Sequence, residues 1–284
     1  MKIIKYILVL ASFVLFFSCG SDTTFEPFDH AGQAIKDEAT IQEFLETHFY
    51  IPPTLEENFG VVDTILNGET PLLNEVTTQE VKYNDIDYKI YYLKNLPEGI
   101  NESPTKVDSA EVNYKGILLN IEKKVFEKNS SYTFWGNLYD KVIPGWKYAL
   151  PHFKAGINTG ELPLRFEQTG KGVIFIPSGL AYRNIGSASI PANTPLMFHV
   201  EMAMVHRNDH DVDGIKSMFE DINNDDDYSN DDTDGDGIAN FLDSDDDGDG
   251  VLTKDENVDP NGDGNPDDAL DSDGDNIPDY LDAN

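Results

Sequence analysis

The C-terminal part of the chain repeats a short acidic pattern whose oxygen atoms are spaced to surround a cation. The copies are Asp232-x-Asp234-x-Asp236-Gly237, Asp245-x-Asp247-x-Asp249-Gly250, Asp259-x-Asn261-x-Asp263-Gly264 and Asp271-x-Asp273-x-Asp275, and they begin 13, 14 and 12 residues apart. In a calcium loop, side-chain oxygens at positions 1, 3 and 5, a backbone carbonyl at position 7 and a carboxylate at position 12 surround the ion. Glycine at position 6 allows the sharp turn. The pattern therefore predicts Ca²⁺ sites in residues 232–284.

The four copies match this loop to different degrees. Three of them supply a carboxylate at position 12, namely Asp243, Glu256 and Asp282. The fourth copy has Asn276 in place of the glycine. The third copy has Leu270 at position 12, so it would take its last ligand from Asp267 or Asp268. The loop from Asp245 is the one that fits at every position.

The charge of the chain is concentrated in the same region. Residues 208–284 hold 28 of the 53 acidic residues and two of the 20 basic ones, and the formal net charge of the whole chain is -33. This charge repels phosphate groups, which argues against a nucleic-acid partner. The close succession of loops resembles thrombospondin type 3 repeats and related bacterial calcium repeats, although the cysteines of that pattern are missing. The alternative is a disordered acidic tail that only keeps the protein soluble.

The N-terminus has the features of an export signal. Lys2 and Lys5 precede an apolar run over residues 7–17, which is too short to span a membrane. Cys19, the only cysteine, lies between Ser18 and Gly20, so the chain has no intramolecular disulfide and no zinc site built on several thiolates. The segment resembles the lipobox of bacterial lipoproteins, which implies cleavage before Cys19, its acylation, and a lipid anchor in the bacterial cell envelope. The alternative is an ordinary cleaved signal with an incidental cysteine.

The sequence predicts strands around one helix in the middle of the chain. Residues 87–93, 110–121, 132–135, 171–176 and 196–205 alternate apolar and polar side chains, and residues 145–153 read as a helix. A second short helix is expected around Ile41, Phe44, Leu45 and Phe49, because these apolar residues recur at helical spacing. An inserted loop is expected over residues 157–170. The prediction is an α+β domain whose antiparallel sheet wraps its helix.

Five blocks of this region, in order, resemble the FKBP-type peptidyl-prolyl cis/trans isomerases. The blocks are Val112-Asn113-Tyr114-Lys115-Gly116, Val125-Phe126-Glu127, Val142-Ile143-Pro144-Gly145-Trp146, Ile176-Pro177-Ser178-Gly179-Leu180-Ala181-Tyr182, and Ile190-Pro191-Ala192-Asn193 followed by Leu196-Met197-Phe198-His199-Val200-Glu201. The resemblance covers residues 86–206. It implies an antiparallel half-barrel around one short helix, with an aromatic pocket for a proline ring.

The resemblance also implies a role for each pocket residue. Trp146 would form the floor, Ile143 would offer its backbone N–H to a substrate carbonyl, and Tyr182 would offer its hydroxyl near the twisting amide. The catalytic set is Tyr114, Phe126, Glu127, Ile143, Trp146 and Tyr182, and the substrate-binding set is Tyr132, Phe134, Val142, Ile190 and Phe198, with Ile190 closing a flap. The sequence departs from the family at three positions, Glu127 for Asp, Arg183 for Gly, and Pro151 within the helix.

An aromatic pocket of this kind can act on proline without a nucleophile or a cofactor. An X-Pro bond isomerises slowly because rotation breaks amide resonance, at a cost of about 18–20 kcal/mol. Rotation moves charge from oxygen back to nitrogen, so a dry apolar pocket favours the less polar twisted amide. The expected substrates are therefore proline-containing polypeptides, and no cofactor is expected for catalysis.

The sequence thus divides into five parts with separate expected roles. They are a signal peptide (1–18), a tether with a helical extension (19–85), the isomerase domain (86–206), an acidic linker (207–231) and the calcium repeats (232–284). His206 and His210 have a metal-binding spacing only on a helix, and they follow a strand instead, so we predict no site there. The competing functional hypothesis is a non-catalytic lipoprotein, either a chaperone with a proline pocket or a calcium-dependent adhesion protein. Tail and pocket are expected to act independently.

Overall fold

A computed structural model describes residues 27–54, 59–95, 98–120, 123–129, 134–160 and 165–283. The predicted signal peptide, Cys19 and Tyr132 lie outside these residues. Within the described part of the chain, no helix is long and apolar enough to cross a membrane.

The described residues form a long N-terminal helix, a β-rich middle and an acidic segment of tight loops. The helices are α1 (His30–Thr47) and α2 (Pro144–Ala149). The strands are β1 (His48–Ile51), β2 (Val61–Thr64), β3 (Thr77–Tyr83), β4 (Ile86–Asn95), β5 (Ser109–Leu118), β6 (Val125–Asn129), β7 (Trp135–Asn137), β8 (Ile157–Asn158), β9 (Phe166–Glu167), β10 (Gly170–Ile176) and β11 (Leu196–His206).

The main sheet has the order β3-β4-β10-β11-β5-β6, and β7 pairs with β5. Every pairing in it is antiparallel. This confirms the predicted α+β fold, a curled antiparallel half-barrel around a short helix. The sheet is larger than the sequence pattern predicts, because β3 and β6 form the two ends of the strand order and neither is among the five predicted strands. Asn84 and Asp85 form the two-residue turn into β4, and both have left-handed φ values of 50° and 60°, as in the tight hairpin turns that suit twisted strands.

Alternating side chains bury both faces of the sheet. On β4, Ile90 and Tyr92 belong to the core around α2, whereas Tyr91 and Leu93 belong to the core around α1. Strand β10 alternates in the same way: Ile174 and Ile176 face α2, and Val173 and Phe175 face α1. A period of two residues is what places neighbours on opposite faces. The half-barrel thus has a helix on each side.

The predicted helix over residues 145–153 divides into two parts. The α-helical part ends at Ala149, and Leu150–His152 forms a turn of 3₁₀ helix. Pro151 lacks the N–H that the helix would need, so it cannot continue the α-helical bonding. Part of the segment expected as an inserted loop forms the two-stranded β8–β9 hairpin.

Helix α1 is fastened to the loop that follows β10. The Asp37 carboxylate is buried, and it accepts hydrogen bonds from the backbone N–H of Ser178 at 2.7 Å and from the Ser178 hydroxyl at 2.6 Å. Gln33 donates to the same carboxylate at 2.7 Å. Burial raises the pKa of Asp37, and these hydrogen bonds act in the opposite direction. The carboxylate therefore links the N-terminal extension to the loop that leads to Tyr182.

The acidic segment is folded and contacts the sheet domain. Tyr228 and Phe241 from this segment form a small core with Val107, and Tyr139 packs against it. The Lys106 ammonium group lies 2.6 Å from the Asp226 carboxylate. The segment is therefore packed against the sheet domain, next to the loop that leads from β7 to α2.

We expect Asp37→Ala to lower the free energy of unfolding by about 1–3 kcal/mol, because it leaves the buried Ser178 N–H and hydroxyl without their acceptor. The measurement is urea unfolding followed by circular dichroism. Glu46→Ala is the matched control, since Glu46 is an exposed acid on the same helix. Equal stability of the two variants would show that Asp37 does not fasten the helix.

Candidate functional site

A cavity of about 690 Å³ opens at the curled face of the sheet, beside α2. Its lining residues come from β5, β6, β11, the start of α2 and the loops on either side. They are Tyr114, Phe126, Glu127, Phe134, Asp140, Lys141, Val142, Ile143, Pro144, Trp146, Tyr182 and Phe198. Nine of these twelve belong to the predicted pocket. The other three, Asp140, Lys141 and Pro144, were not predicted, although they are neighbours of Val142 and Ile143 in the chain.

Trp146 forms the centre of this aromatic cluster. Its ring meets the rings of Tyr114, Phe134 and Phe198 edge to face, with centroid distances of 5.0, 5.3 and 5.2 Å and interplanar angles of 80–84°. Edge-to-face contacts at these distances are favourable because the positive edge of one ring meets the negative face of the other. Only 4% of Trp146 is exposed, and its indole N–H has no hydrogen-bond partner among the described residues.

The strand register brings the walls together. Tyr114 on β5 and Phe198 on β11 are neighbours across the sheet, because Phe198 pairs with Gly116 and Val200 pairs with Tyr114. A side chain at Gly116 would collide with the ring of Phe126, which lies over the Gly116 backbone. The glycine therefore makes room for one wall of the cavity.

Glu127 is tied to the pocket through Tyr114. The Tyr114 hydroxyl donates a hydrogen bond to the Glu127 carboxylate, and burial together with this bond raises the pKa of Tyr114. Burial, with the charge of Glu127 added, also raises the pKa of Tyr182. Both hydroxyls therefore remain protonated at neutral pH. The Glu127 side chain, although longer than the aspartate usual in the family, makes this contact.

Ile143 and Tyr182 occupy positions that suit hydrogen bonding to a bound chain. Ile143 is the N-cap residue of α2, where the backbone N–H is not used by the helix. The residue after Tyr182, Arg183, has a left-handed φ of 55°. Glycine adopts this conformation without strain, which explains why arginine is a departure here.

One of the predicted pocket residues, Ile190, is not among the described residues that line the cavity. It is 3% exposed and belongs to the same core cluster as Trp146, Tyr114 and Phe198. Its backbone pairs with Ser187 in an isolated bridge. Tyr132 lies outside the described residues.

The predicted calcium loops share a tight backbone turn. The Asp232 carboxylate accepts hydrogen bonds from the N–H groups of Gly235 and Gly237, at 2.9 and 3.0 Å. The Asp259 carboxylate accepts in the same way from the N–H groups of Gly262 and Gly264. The Asp271 carboxylate accepts from those of Gly274 and Asn276. The residue at position 6 has a positive φ in all four copies, between 78° and 96°. This is the reason for glycine at that position, and asparagine, the residue in the fourth copy, tolerates it better than most others.

Predicted ligands converge in these loops. In the copies starting at Asp232, Asp245 and Asp271, the carboxylates at positions 1, 3 and 5 place one oxygen each within 4.8 Å of one another. In the second copy, Asp245, Asp247 and Glu256 each have a buried oxygen without a hydrogen-bond partner among the described residues. Burial and the nearby charges of Asp247 and Asp249 raise the pKa of Glu256 to about 7. The donor set consists of hard oxygen atoms, which fits Ca²⁺.

Two earlier copies of the pattern were not predicted. Asp209-x-Asp211-x-Asp213-Gly214 begins three residues after the end of β11, and Asp221-x-Asn223-x-Asp225 follows 12 residues later. Asp209 accepts hydrogen bonds from the N–H groups of Val212 and Gly214, as the first residue of the later loops does. The same spacing rule, applied from residue 207 onward, identifies both.

Two family models match the chain. The model described as FKBP-type peptidyl-prolyl cis-trans isomerase matches residues 101–203. The model described as BamM C-terminal matches residues 210–266. The residues matched by the first model include all the predicted pocket residues. The residues matched by the second model belong to the acidic segment.

Curated proteins similar to this chain include the FKBP-type peptidyl-prolyl cis-trans isomerase FkpA of Escherichia coli strain K12, which is 38% identical over 107 residues, or 37% of this chain and 33% of the relative. FkpA of Aeromonas hydrophila is 31% identical over 120 residues, or 42% of this chain and 39% of the relative. The chain thus matches between a third and two fifths of the length of these relatives.

Two crystal structures also resemble the chain. That of FkpA from Escherichia coli has 32% identity and a TM-score of 0.34, over 46% of this chain and 51% of the other. That of a peptidyl-prolyl cis-trans isomerase from Pseudomonas syringae pv. tomato has 21% identity and a TM-score of 0.39, over 64% and 99%. Residues 101–203, which form much of the half-barrel and line the cavity except for residues outside the described ranges, are thus similar to the FKBP-type peptidyl-prolyl isomerase domain of these relatives.

Proposed function

We propose that the protein is a peptidyl-prolyl cis/trans isomerase that acts on exposed X-Pro bonds of exported polypeptides. The observation that carries this proposal is the aromatic cavity with Trp146 at its centre. Its volume of about 690 Å³ accommodates a proline ring with its neighbouring residues. The proline ring packs on the indole, and the surrounding rings exclude water from the amide.

The chemistry follows from the polarity of the cavity. A planar amide carries more charge separation than a twisted one, so an apolar site stabilises the twisted state relative to the planar state. The Ile143 N–H donates to a carbonyl of the bound chain and holds it on one side of the proline. The protonated Tyr182 hydroxyl donates near the twisting bond. These donors fix one part of the chain while the other part rotates.

Two substitutions separate the parts of this mechanism. Tyr182→Phe removes one donor and keeps the ring, so we expect a several-fold lower kcat/KM, which corresponds to about 1 kcal/mol for one neutral hydrogen bond.

Trp146→Ala removes the floor of the cavity, and we expect a larger loss of activity together with about 3–5 kcal/mol less stability. The measurement is a protease-coupled isomerisation assay on Leu-Pro and Phe-Pro peptides.

Trp135→Ala is the matched control, since the only other tryptophan of the chain is 45% exposed and lies outside the cavity. Its activity should equal that of the unsubstituted protein. If the unsubstituted protein binds the peptide but exchange proceeds at the uncatalysed rate, the protein belongs instead to the non-catalytic chaperone class.

We further propose that the protein is anchored in the bacterial cell envelope by a lipid on Cys19. The basis is the apolar run over residues 7–17 with small residues on both sides of the cysteine. Cys19→Ser should move the protein from the membrane fraction to the soluble fraction. Ser18→Ala is the control, because it keeps both the cysteine and a small residue before it. Retention of the Cys19→Ser variant in the membrane would refute lipid anchoring.

The loops that begin at Asp232, Asp245, Asp259 and Asp271 are proposed as Ca²⁺ sites that order the C-terminal segment. The support is the convergence of carboxylates at positions 1, 3 and 5 of three copies. Six to eight oxygens surround Ca²⁺ in such sites, and part of the charge repulsion within the segment disappears when the ion binds.

Asp245→Ala combined with Asp247→Ala removes two ligands from the loop that fits best, so we expect one bound ion fewer per chain in a calorimetric Ca²⁺ titration. Asp255→Asn is the matched control, because this acid is exposed and lies at a non-ligand position of the same loop. A segment that takes up no Ca²⁺ in a saturable manner would be a solubilising tail only.

A further inference from the structure

Three acidic side chains from two different loops meet in the interior of the acidic segment. Asp213, Glu220 and Asp246 are 0%, 1% and 2% exposed. One carboxylate oxygen of each lies within 4.8 Å of the other two. Asp211, the neighbour of Asp213 on the same loop, adds its charge to theirs. The cluster therefore brings three buried carboxylates close to a fourth, Asp211, which is partly exposed.

The protein supplies few partners for this cluster. Among the described residues, no hydrogen bond is made by either oxygen of Glu220, by either oxygen of Asp246, or by one oxygen each of Asp211 and Asp213. The salt bridges formed within the described part of the chain do not include these four residues. Buried carboxylates are strongly unfavourable unless they are paired or bind a metal. Six such oxygens in one cluster indicate a bound cation.

The sequence around the cluster has the complete calcium-loop pattern. Asp209, Asp211 and Asp213 stand at positions 1, 3 and 5, and their carboxylates also converge within 4.8 Å. Gly214 at position 6 has a φ of 105°, and Glu220 stands at position 12. Asp246 is different, because it stands at position 2 of another loop, where a calcium loop uses no ligand. It reaches across to the loop that begins at Asp209.

We propose that Asp211, Asp213, Glu220 and Asp246 form a buried Ca²⁺ site that joins the first acidic loop to the loop starting at Asp245. The all-oxygen donor set selects a hard cation, and its high negative charge favours a divalent one. The site goes beyond the four proposed loops, since each of those takes its ion within one copy. Here the ion crosslinks two copies through Asp213 and Asp246, which are 33 residues apart in the chain.

Because of its position, the site would hold the acidic segment against the sheet domain. The loop starts three residues after the end of β11. Ser217, between the ligands Asp213 and Glu220, has its hydroxyl 2.8 Å from Nδ1 of His210, and Nε2 of the same ring lies 3.1 Å from the Asn137 amide at the end of β7. An ion that fixes Asp213 and Glu220 therefore also fixes the contact of the segment with β7.

The contact continues to the loop that carries part of the pocket. Phe241 packs edge to face on Tyr139, with ring centroids 4.9 Å apart, and on His210 at 5.6 Å. Tyr139 is followed within four residues by Val142 and Ile143, which line the cavity. Loss of the ion should therefore loosen the acidic segment and the residues around Tyr139 together.

The first test counts ions. Calorimetric Ca²⁺ titrations of the full-length chain should show one ion fewer per chain for Glu220→Gln and for Asp246→Asn, with the remaining sites unchanged. Asp255→Asn, an exposed acid nine residues after Asp246, should keep the full number. Unchanged stoichiometry and affinity in both variants would overturn the proposal, and would show that protons rather than an ion neutralise the cluster.

The second test keeps every ligand of the buried site in place. Tyr280 is 4% exposed, and the charges of Asp246, Glu220 and Asp213 act on its hydroxyl, so its ring lies beside the cluster. Because Tyr280 also belongs to the loop that begins at Asp271, the test uses a chain in which Asp271→Ala removes a ligand of that loop. Terbium bound at the buried site should emit when tyrosine is excited, and adding Tyr280→Phe should lower that emission without changing the number of ions bound. Tyr228→Phe, in the separate cluster with Phe241, is the control. Equal emission from the Asp271→Ala chain with and without Tyr280→Phe would contradict a cation at this place.

A third measurement tests whether the ion holds the acidic segment against the sheet domain. Removal of Ca²⁺ with a chelator should increase hydrogen exchange in residues 209–220 and around Tyr139, and Asp246→Asn should show the same increase in the presence of Ca²⁺. Unchanged exchange around Tyr139 in both cases would show that the ion does not hold the segment on the domain. None of these readouts depends on isomerase activity, so they can fail or succeed independently of the proposed catalytic function.

Discussion

The packing of Trp146 is the contact on which the half-barrel and its pocket both depend. The short helix α2 has only six residues, too few to be stable alone, and it is held in the curl of the sheet by this large buried ring. Tyr114 from β5, Phe198 from β11 and Phe134 before β7 each meet the indole edge to face. The same rings that stabilise the helix thus form the dry surface that a proline ring would contact.

Much of this arrangement could be predicted from the sequence because the pattern is local. Strand alternation predicted β4, β5, β10 and β11, and the short blocks supplied the residues that we propose for the pocket. Nine predicted residues line one cavity although they come from separate parts of the chain. The exception is Ile190, whose burial in the core depends on how its loop folds back on itself.

The parts that were not predicted depend on long-range contacts or on weak local signals. Strand β3 is indicated only by the Asn84-Asp85 turn, which lacks the glycine typical of such turns. The attachment of α1 depends on Asp37 meeting Ser178, 141 residues away. Phe241 of the acidic segment packs against Tyr139, in the loop beside the pocket. No periodicity in either segment could indicate that contact.

The most direct test of the central claim is cis/trans exchange of a Phe-Pro peptide, measured by NMR exchange spectroscopy with the unsubstituted protein at a concentration far below that of the peptide. This experiment observes the rotation itself and needs no coupled protease. The account predicts exchange much faster than the uncatalysed reaction, whose time constant is about tens to hundreds of seconds at 25 °C. Exchange at the uncatalysed rate, with peptide signals that nevertheless shift on binding, would contradict it.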